Sequence, residues 1–340
     1  SANQGAIKVV SNGIDAVTVM NAELSGLEHD DEEDFIKHGR SSVIPSSIFA
    51  FRAGRPQESL NHSHLAISSL GHTTIYAVDP IEGSLEEVSW GLNSTSETLN
   101  LLQLESGHLP QVTSTGIYLG FSGNISCGGM WNCKPNERVI LSVNCENYIL
   151  LAMSDCWVRL FHVTPSGFSV VASAKFSAEV SCMNIFKSED GSLIASISFW
   201  DMNTFGFLTF DSKTKTIKLL PIEHSFVNSA VIRSTQMLKS PSGELFSLFG
   251  SGNGQVLICK VPKSSETSQI DMDSISLLRL GSAPVQIFSF DDTLHLIAQS
   301  DRPYHISWNK EKLLCSVINI PAFDSLTQFN FGDQAGFVTI

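Results

Sequence analysis

The chain alternates apolar runs with short polar breaks, and the breaks recur. In HLIAQSDRPYHISW, His295 to Trp308, one apolar segment stops at Ser300-Asp301-Arg302-Pro303 and a second follows. The same grammar organises YILLAMSDCWVRLFHV from Tyr148, LIASISFWDMNTFGFLTF from Leu193, LFSLFGSGNGQVLICKV from Leu245 and LHLIAQSDRPYHISW from Leu294. LAISSLGHTTIYAVD from Leu65 and QVTSTGIYLGFS from Gln111 follow it more loosely. A β-branched and aromatic run that ends in a polar or Gly-containing turn and then resumes predicts a β-hairpin. At the first of these turns Asp301 is expected to bond its own backbone, while Pro303 has no N–H to offer a ladder. Gly252-Asn253-Gly254 and Ser154-Asp155 are expected to turn the chain in the same way.

Anchored at Leu65, Gln111, Ile149, Leu193, Leu245 and Leu294, the hairpins are spaced 46, 38, 44, 52 and 49 residues apart. Strand-like flanks, such as EVSCMNIF before the Leu193 hairpin and TIKLLPI after it, bring a unit to four strands. Four strands at this interval predict propeller blades, and at about 46 residues per blade the chain holds roughly seven. The expected fold is therefore all-β, a single seven-bladed β-propeller with four-stranded blades spanning 1–340 as one domain. Its seventh blade is composite: the C-terminal LTQFNF and GFVTI are joined by N-terminal strands around AIKVVSNG and AVTVMNAEL. Such a joint closes the ring and removes open sheet edges. Two stacked sandwiches would also be all-β, but would not require so even a period.

Composition narrows the function classes. The 340 residues carry 21 Lys and Arg against 34 Asp and Glu, a formal net charge of -13, so the average surface repels phosphate and direct nucleic-acid binding is disfavoured. There is no run of 18 apolar residues, and SANQGAIKVV has neither a basic n-region nor an apolar h-region. The chain reads as soluble, with no membrane partner. Because residue 1 is Ser and a strand-like segment follows directly, the sequence reads as a fragment of a larger, multi-propeller protein. The one dense charge run, EHDDEEDF from Glu28 to Phe35, lies in a segment, 28–42, that reads as a solvated, mobile insertion loop. Its carboxylates lack the alternating, Gly-centred spacing of a calcium loop.

Candidate chemistry is sparse. The seven cysteines, at 127, 133, 145, 156, 182, 259 and 315, form no C-x-x-C pair, and a reduced compartment fits them. Cys156, Cys182, Cys259 and Cys315 sit in or beside apolar runs and are expected to be buried and inert. Cys127, Cys133 and Cys145, or His62, His64 and His72, could be imagined as zinc ligands, but their spacings match no standard finger. Asn61, Asn93 and Asn124 begin glycosylation triplets that a Ser-rich chain supplies by chance. Propellers do host hydrolases and lyases, yet His162, His224, His295 and His305 fall at different places along their blades and no convergent set emerges. The reading is non-catalytic, with no cofactor, no metal and no small-molecule substrate.

The repeating Trp-Asp and Gly-His marks of ordinary WD40 blades are absent. Instead, residues 178–320 carry AEVSCMNI, SISFWDMNTFGFLTF, GSGNGQVLICKV, LRLGSAPVQIFSF and IAQSDRPYHISWNKEKLLCSVIN. This stretch resembles the middle propeller of the family of the large damaged-DNA-binding subunit, the A subunit of the cleavage and polyadenylation specificity factor and a splicing-factor propeller subunit. The most specific part is Leu280-Gly281-x-x-Pro284 together with Ser300-Asp301-Arg302-Pro303, whose spacings look nearer to the damaged-DNA-binding branch. Residues 1–27 also look like the strand entering this propeller, residues 28–130 match only in pattern, and 28–42 look like an insertion. The resemblance implies a scaffold: an adaptor propeller that docks a cullin in a nuclear cullin-RING ubiquitin ligase linked to DNA repair or chromatin, present in the cytoplasm as well or not. In the other branches the same propeller contacts splicing or 3′-end-processing subunits.

The residues best suited to docking lie in SFWDMNTFGF. Trp200 ends an apolar run and is followed by Asp201, Met202 and Asn203, so an aromatic, an acid and an adaptable thioether share one turn. The resemblance adds that a matching Trp-x-Asp turn faces the cullin in the damaged-DNA-binding subunit. The competing reading wedges Trp200 between blades as core.

Overall fold

The computed structural model describes residues 7–13, 16–22, 47–52, 61–69, 71–79, 84–120, 129–188, 190–200, 204–222, 230–262, 270, 275–289, 295–309, 312–320, 323, 326–331 and 334–339. For 7–22 and 328–339 the description is of backbone alone. Every regular element among these residues is a strand; no helix is long and apolar enough to cross a membrane. The acidic segment 28–42 lies outside the described residues.

The chain divides into two compact units, one of Ser1–Asn132, Pro165–Gly167 and Phe323–Ile340, the other of Cys133–Thr164 and Phe168–Ala322. The first unit holds three four-stranded antiparallel sheets. One joins β1 (Ile7–Gly13) and β2 (Ala16–Ala22) to the last two strands of the chain, β27 (Leu326–Phe331) and β28 (Gln334–Thr339), in the order β2-β1-β28-β27. The second is β3 (Ser47–Phe51), β4 (His64–Ser69), β5 (His72–Val78) and β6 (Leu85–Glu87). The third is β7 (Thr98–Leu101), β8 (Leu109–Thr113), β9 (Gly116–Gly120) and β10 (Met130–Asn132).

The second unit repeats the pattern. Its strands are β11 (Val139–Cys145), β12 (Tyr148–Met153), β13 (Trp157–Thr164) and β14 (Gly167–Lys175), then β15 (Val180–Lys187), β16 (Leu193–Phe199), β17 (Phe205–Asp211) and β18 (Thr216–Pro221). A single parallel bridge, Ser173 to Thr216, links these two antiparallel meanders into one eight-stranded sheet. There follow β19 (Ile232–Lys239), β20 (Leu245–Ser251), β21 (Gln255–Lys260) and β22 (Ser276–Arg279), and finally β23 (Gln286–Ser289), β24 (His295–Gln299), β25 (Pro303–Asn309) and β26 (Lys312–Val317).

Each expected hairpin is the middle pair of one such meander. Burial explains why these pairs stand out in the sequence. The second strands are covered on both faces: β8 is buried throughout, and so are all of β12 and β16 after their first residue. A strand covered on both faces reads as a continuous apolar run. Fourth strands are the reverse, with β6, β22 and β26 mostly exposed. The N- and C-terminal strands expected in one sheet are there, β1 pairing antiparallel with β28 from Lys8 opposite Thr339 to Ser11 opposite Gly336.

Side-chain hydrogen bonds tie neighbouring sheets at a fixed interval. Ser181 Oγ donates to the carbonyl of Ile232 at 2.9 Å, and Ser234 Oγ to that of Val285 at 2.7 Å, each reaching 51 residues along the chain. In the first unit a fully buried polar cluster does similar work. Gln111 Nε2 donates to Thr98 Oγ1 at 2.7 Å and to the carbonyl of Asn93 at 3.0 Å, and Gln111 Oε1 accepts from the Asn93 N–H at 2.7 Å. Ser68 Oγ accepts from the Thr98 N–H, and Thr73 Oγ1 meets Thr98 Oγ1 at 2.8 Å.

Two expectations are corrected. Asp301 does not bond its own backbone; its carboxylate accepts from the N–H of Ser282 at 2.8 Å and of Ala283 at 3.1 Å, in the connection that follows β22. Ser300 Oγ donates to the Ala283 carbonyl at 2.7 Å and Tyr304 Oη to the Leu280 carbonyl at 2.5 Å. Leu280-Gly281-x-x-Pro284 and Ser300-Asp301-Arg302-Pro303 are thus two halves of one strap. Gly281 is required by close approach, since a Cβ there would sit 2.5 Å from Asp301 Oδ2. Second, of the four cysteines expected to be core, only Cys182 and Cys259 are buried; Cys156 and Cys315 are half-buried. Cys156 sits in the hairpin turn itself, at φ 66, with its N–H bonded to the Met153 carbonyl. A chain reversal there puts its side chain near the sheet end, and β26, which carries Cys315, is an edge strand.

Candidate functional site

The Trp200 turn is rooted in core. Phe199, the last residue of β16, is 2% exposed and packs on Phe176 with ring centroids 5.0 Å apart. Its N–H bonds the Thr204 carbonyl across the hairpin, and the next N–H, that of Trp200, bonds the Glu179 carbonyl at the start of the sheet. The backbone on which Trp200 stands is therefore fixed on both sides. The side chain itself is 47% exposed, one of the few large apolar groups outside the core among the described residues. Asp201, Met202 and Asn203, the other three expected docking residues, lie outside the described residues.

The sequence reading missed the neighbour of this indole. The Arg233 guanidinium stands over the Trp200 ring, 4.7 Å from its centroid. Arg233 belongs to β19, whose pairing with β20 slips between Ile232 and Ser234. A bulge of this kind leaves one residue unpaired and re-aims its side chain. Nothing in the spacing between positions 200 and 233 announces the contact, because it depends on that slip.

The other candidate ligands are scattered. His64, at the start of β4, stacks on Phe51 at 5.2 Å and meets Trp90 edge-on at 4.7 Å. His72 begins β5, opposite Ser69 at the far end of the same pairing, so the two histidines do not converge. Burial, with the Arg52 guanidinium adding to it, lowers His62 to about 4. Cys133 and Cys145 are half-buried, and burial pushes both thiols up from their ordinary value. Burial pushes the Cys182 and Cys259 thiols up to about 12, far from the thiolate state that nucleophiles and metal ligands need. Cys127, Asn124 and His224 lie outside the described residues. Asn93 is engaged in its own turn, its Oδ1 accepting from the Thr95 N–H and Oγ1.

One pair of histidines does meet, contrary to the sequence reading. His295 on β24 and His305 on β25 stack with centroids 5.1 Å apart, and Nδ1 of the first lies 3.0 Å from Nε2 of the second. Burial, then the neighbouring His295, lowers His305. Among the described residues no group of three or more His, Cys, Asp or Glu side chains could hold a metal ion.

Four-stranded antiparallel meanders repeated along the chain, with an aromatic turn presented at the end of one of them, define the class of repeat-built β-propeller domains. The chain belongs to the RSE1/DDB1/CPSF1 second beta-propeller family, whose model matches residues 41–340. The match takes in residues 41–130, where the sequence alone showed only the pattern. Among curated proteins the chain is 25% identical to DNA damage-binding protein 1b of Arabidopsis thaliana over 333 residues, covering 96% of this chain and 28% of that protein. It is 24% identical to DNA damage-binding protein 1 of Solanum lycopersicum over 334 residues, again 96% of this chain and 28% of that protein. The homologous protein of Oryza sativa subsp. japonica is 23% identical over 332 residues. The chain thus spans little more than a quarter of the relatives it matches.

Proposed function

We propose that this chain is a non-catalytic adaptor propeller that docks a cullin in a cullin-RING ubiquitin ligase of the damaged-DNA-binding type, through the turn Trp200, Asp201, Met202 and Asn203. The observation that carries the reading is the 47% exposure of Trp200 on a backbone held by buried Phe199 and the Glu179 carbonyl. Large aromatics displayed on rigid elements are the anchors that dominate protein interfaces. Family membership supports the scaffold role, and relatives named for DNA damage binding favour this branch over the RNA-processing ones.

The same reading places all the sheets in one seven-bladed ring, closed by the pairing of β1 with β28, as one domain of a larger multi-propeller protein. The protein works in the nucleus on repair or chromatin substrates. Affinity purification of the full-length protein tests the function. Recovery of a cullin and its RING subunit is the expected result; recovery of splicing or polyadenylation subunits in their place overturns it in favour of an RNA-processing scaffold.

A further inference from the structure

The reading of Trp200 as a docking anchor leaves open what its partner must present, and Arg233 supplies that information. Four first strands carry the same irregularity. Pairing slips between Thr98 and Asn100, Val139 and Leu141, Val180 and Cys182, and Ile232 and Ser234, so the residues out of register are Leu99, Ile140, Ser181 and Arg233. Leu99 and Ile140 are apolar and half-buried, and Ser181 spends its hydroxyl on the Ile232 carbonyl. Only in the fourth does the bulge carry a charge, and there it lays an exposed guanidinium over an exposed indole.

Among the described residues no carboxylate pairs with Arg233, on a chain whose acidic residues outnumber its basic ones by 34 to 21. A guanidinium held over a ring still carries the N–H donors that can grip a carboxylate in a bidentate pair. Gly252 keeps the flank open. A Cβ at that position would make ordinary contact with Arg233, 3.9 Å from Cγ and from Nε, and the backbone of Gly252 is not in the left-handed region, so no conformational need excludes a side chain there.

We propose that Trp200 and Arg233 form one composite recognition site for a cullin segment that presents an Asp or Glu beside an apolar side chain, the carboxylate gripped by the guanidinium edge and the apolar group lying on the indole. This rests on the docking reading above. The alternative chemistry for an Arg on an aromatic, a nucleic-acid base with its phosphate, is opposed by the net charge of -13.

Purified cullin is titrated against the chain and its Arg233→Glu, Arg233→Lys, Gly252→Gln and Trp200→Ala variants, with thermal unfolding of each. Arg233→Glu is expected to weaken binding tenfold or more without lowering the unfolding temperature, and to abolish the loss of affinity that added salt causes in the parent. Arg233→Lys, which keeps charge but not the bidentate edge, falls between, and Gly252→Gln weakens binding by covering the flank. If Trp200→Ala weakens binding while Arg233→Glu stays within twofold of the parent, the composite site is wrong and the docking turn stands. If both bind as the parent does, the docking turn fails and the composite site with it. A single-stranded oligonucleotide that binds the chain and is lost on Arg233→Glu, with cullin binding untouched, also overturns the proposal.

Discussion

Asp301 accepts a hydrogen bond from the backbone N–H of Ser282, 2.8 Å away in the connection between β22 and β23. With the Ala283 N–H at 3.1 Å and the Ser300 hydroxyl on the Ala283 carbonyl, it straps the connection after β22 to the turn after β24. Asp301→Ala is expected to lower the unfolding temperature, and Asp301→Asn, which keeps an acceptor oxygen, to lower it less. Chiefly through the Ser282 N–H, the folded chain holds the Asp301 carboxyl below its ordinary value. Its contribution is therefore whole above the unfolded value of about 3.9 and fades as pH falls through the folded one. Thermal scans from pH 6 to pH 2.5 check this: wild type and Asp301→Ala converge in acid. Equal midpoints at pH 6 would contradict it.

His62 makes a second pH dependence, nearer neutrality. It is 8% exposed and lowered to about 4, so the unfolded chain, with its ordinary value near 6.5, takes up the proton first. Stability is then full above that value and declines as pH drops toward the folded one, by roughly 2 kcal/mol at pH 5. Urea unfolding at pH 7.5 and pH 5.0 should show this decline in the parent and a shallower one in His62→Gln. Identical slopes would remove His62 from the account.

The hairpins were legible because the second strand of each is covered on both faces and so reads as a continuous apolar run; the rest of each sheet was not. β6, Leu85–Glu87, reads LEE and is mostly exposed, so no periodicity marks it. Met130–Asn132, equally short, and Ser276–Arg279, one residue longer, are as open. The strap motif was visible as a string, and its family meaning could be read, but its physics lies in a contact between positions 282 and 301 that no local pattern encodes. Trp200 could be picked from residue type alone. Arg233 could not, because a register slip rather than a spacing brings it over the ring. The polar cluster around Gln111 was equally hidden: Ser68, Thr73, Thr98 and Gln111 look like surface residues of a strand until the neighbouring sheet covers them.

That cluster yields a stability prediction. Gln111→Ala deletes the bonds to Thr98 and to both backbone groups of Asn93, taking the Gln111 amide away from a half-buried N–H and carbonyl at Asn93 and from the buried Thr98 hydroxyl. A loss of about 2 to 4 kcal/mol is expected in denaturant unfolding. A change under about 0.5 kcal/mol, the size of an ordinary surface substitution, would show that the cluster is incidental.

Removing residues 1–22 takes β1 and β2 from β28 and exposes that strand as an edge. The truncated chain should unfold at a lower temperature and aggregate more readily. Full retention of stability would deny that the N-terminal strands close the fold.

The central claim is tested most directly by the affinity of purified cullin for Trp200→Ala, read beside the thermal stability of the same protein. Because the indole is 47% exposed, the folded state should lose little. Binding should weaken by about 2 kcal/mol or more, roughly thirtyfold. A folding loss of roughly 3 to 5 kcal/mol would make Trp200 core. A stable variant that binds cullin at full affinity would contradict the claim that this turn is the docking anchor.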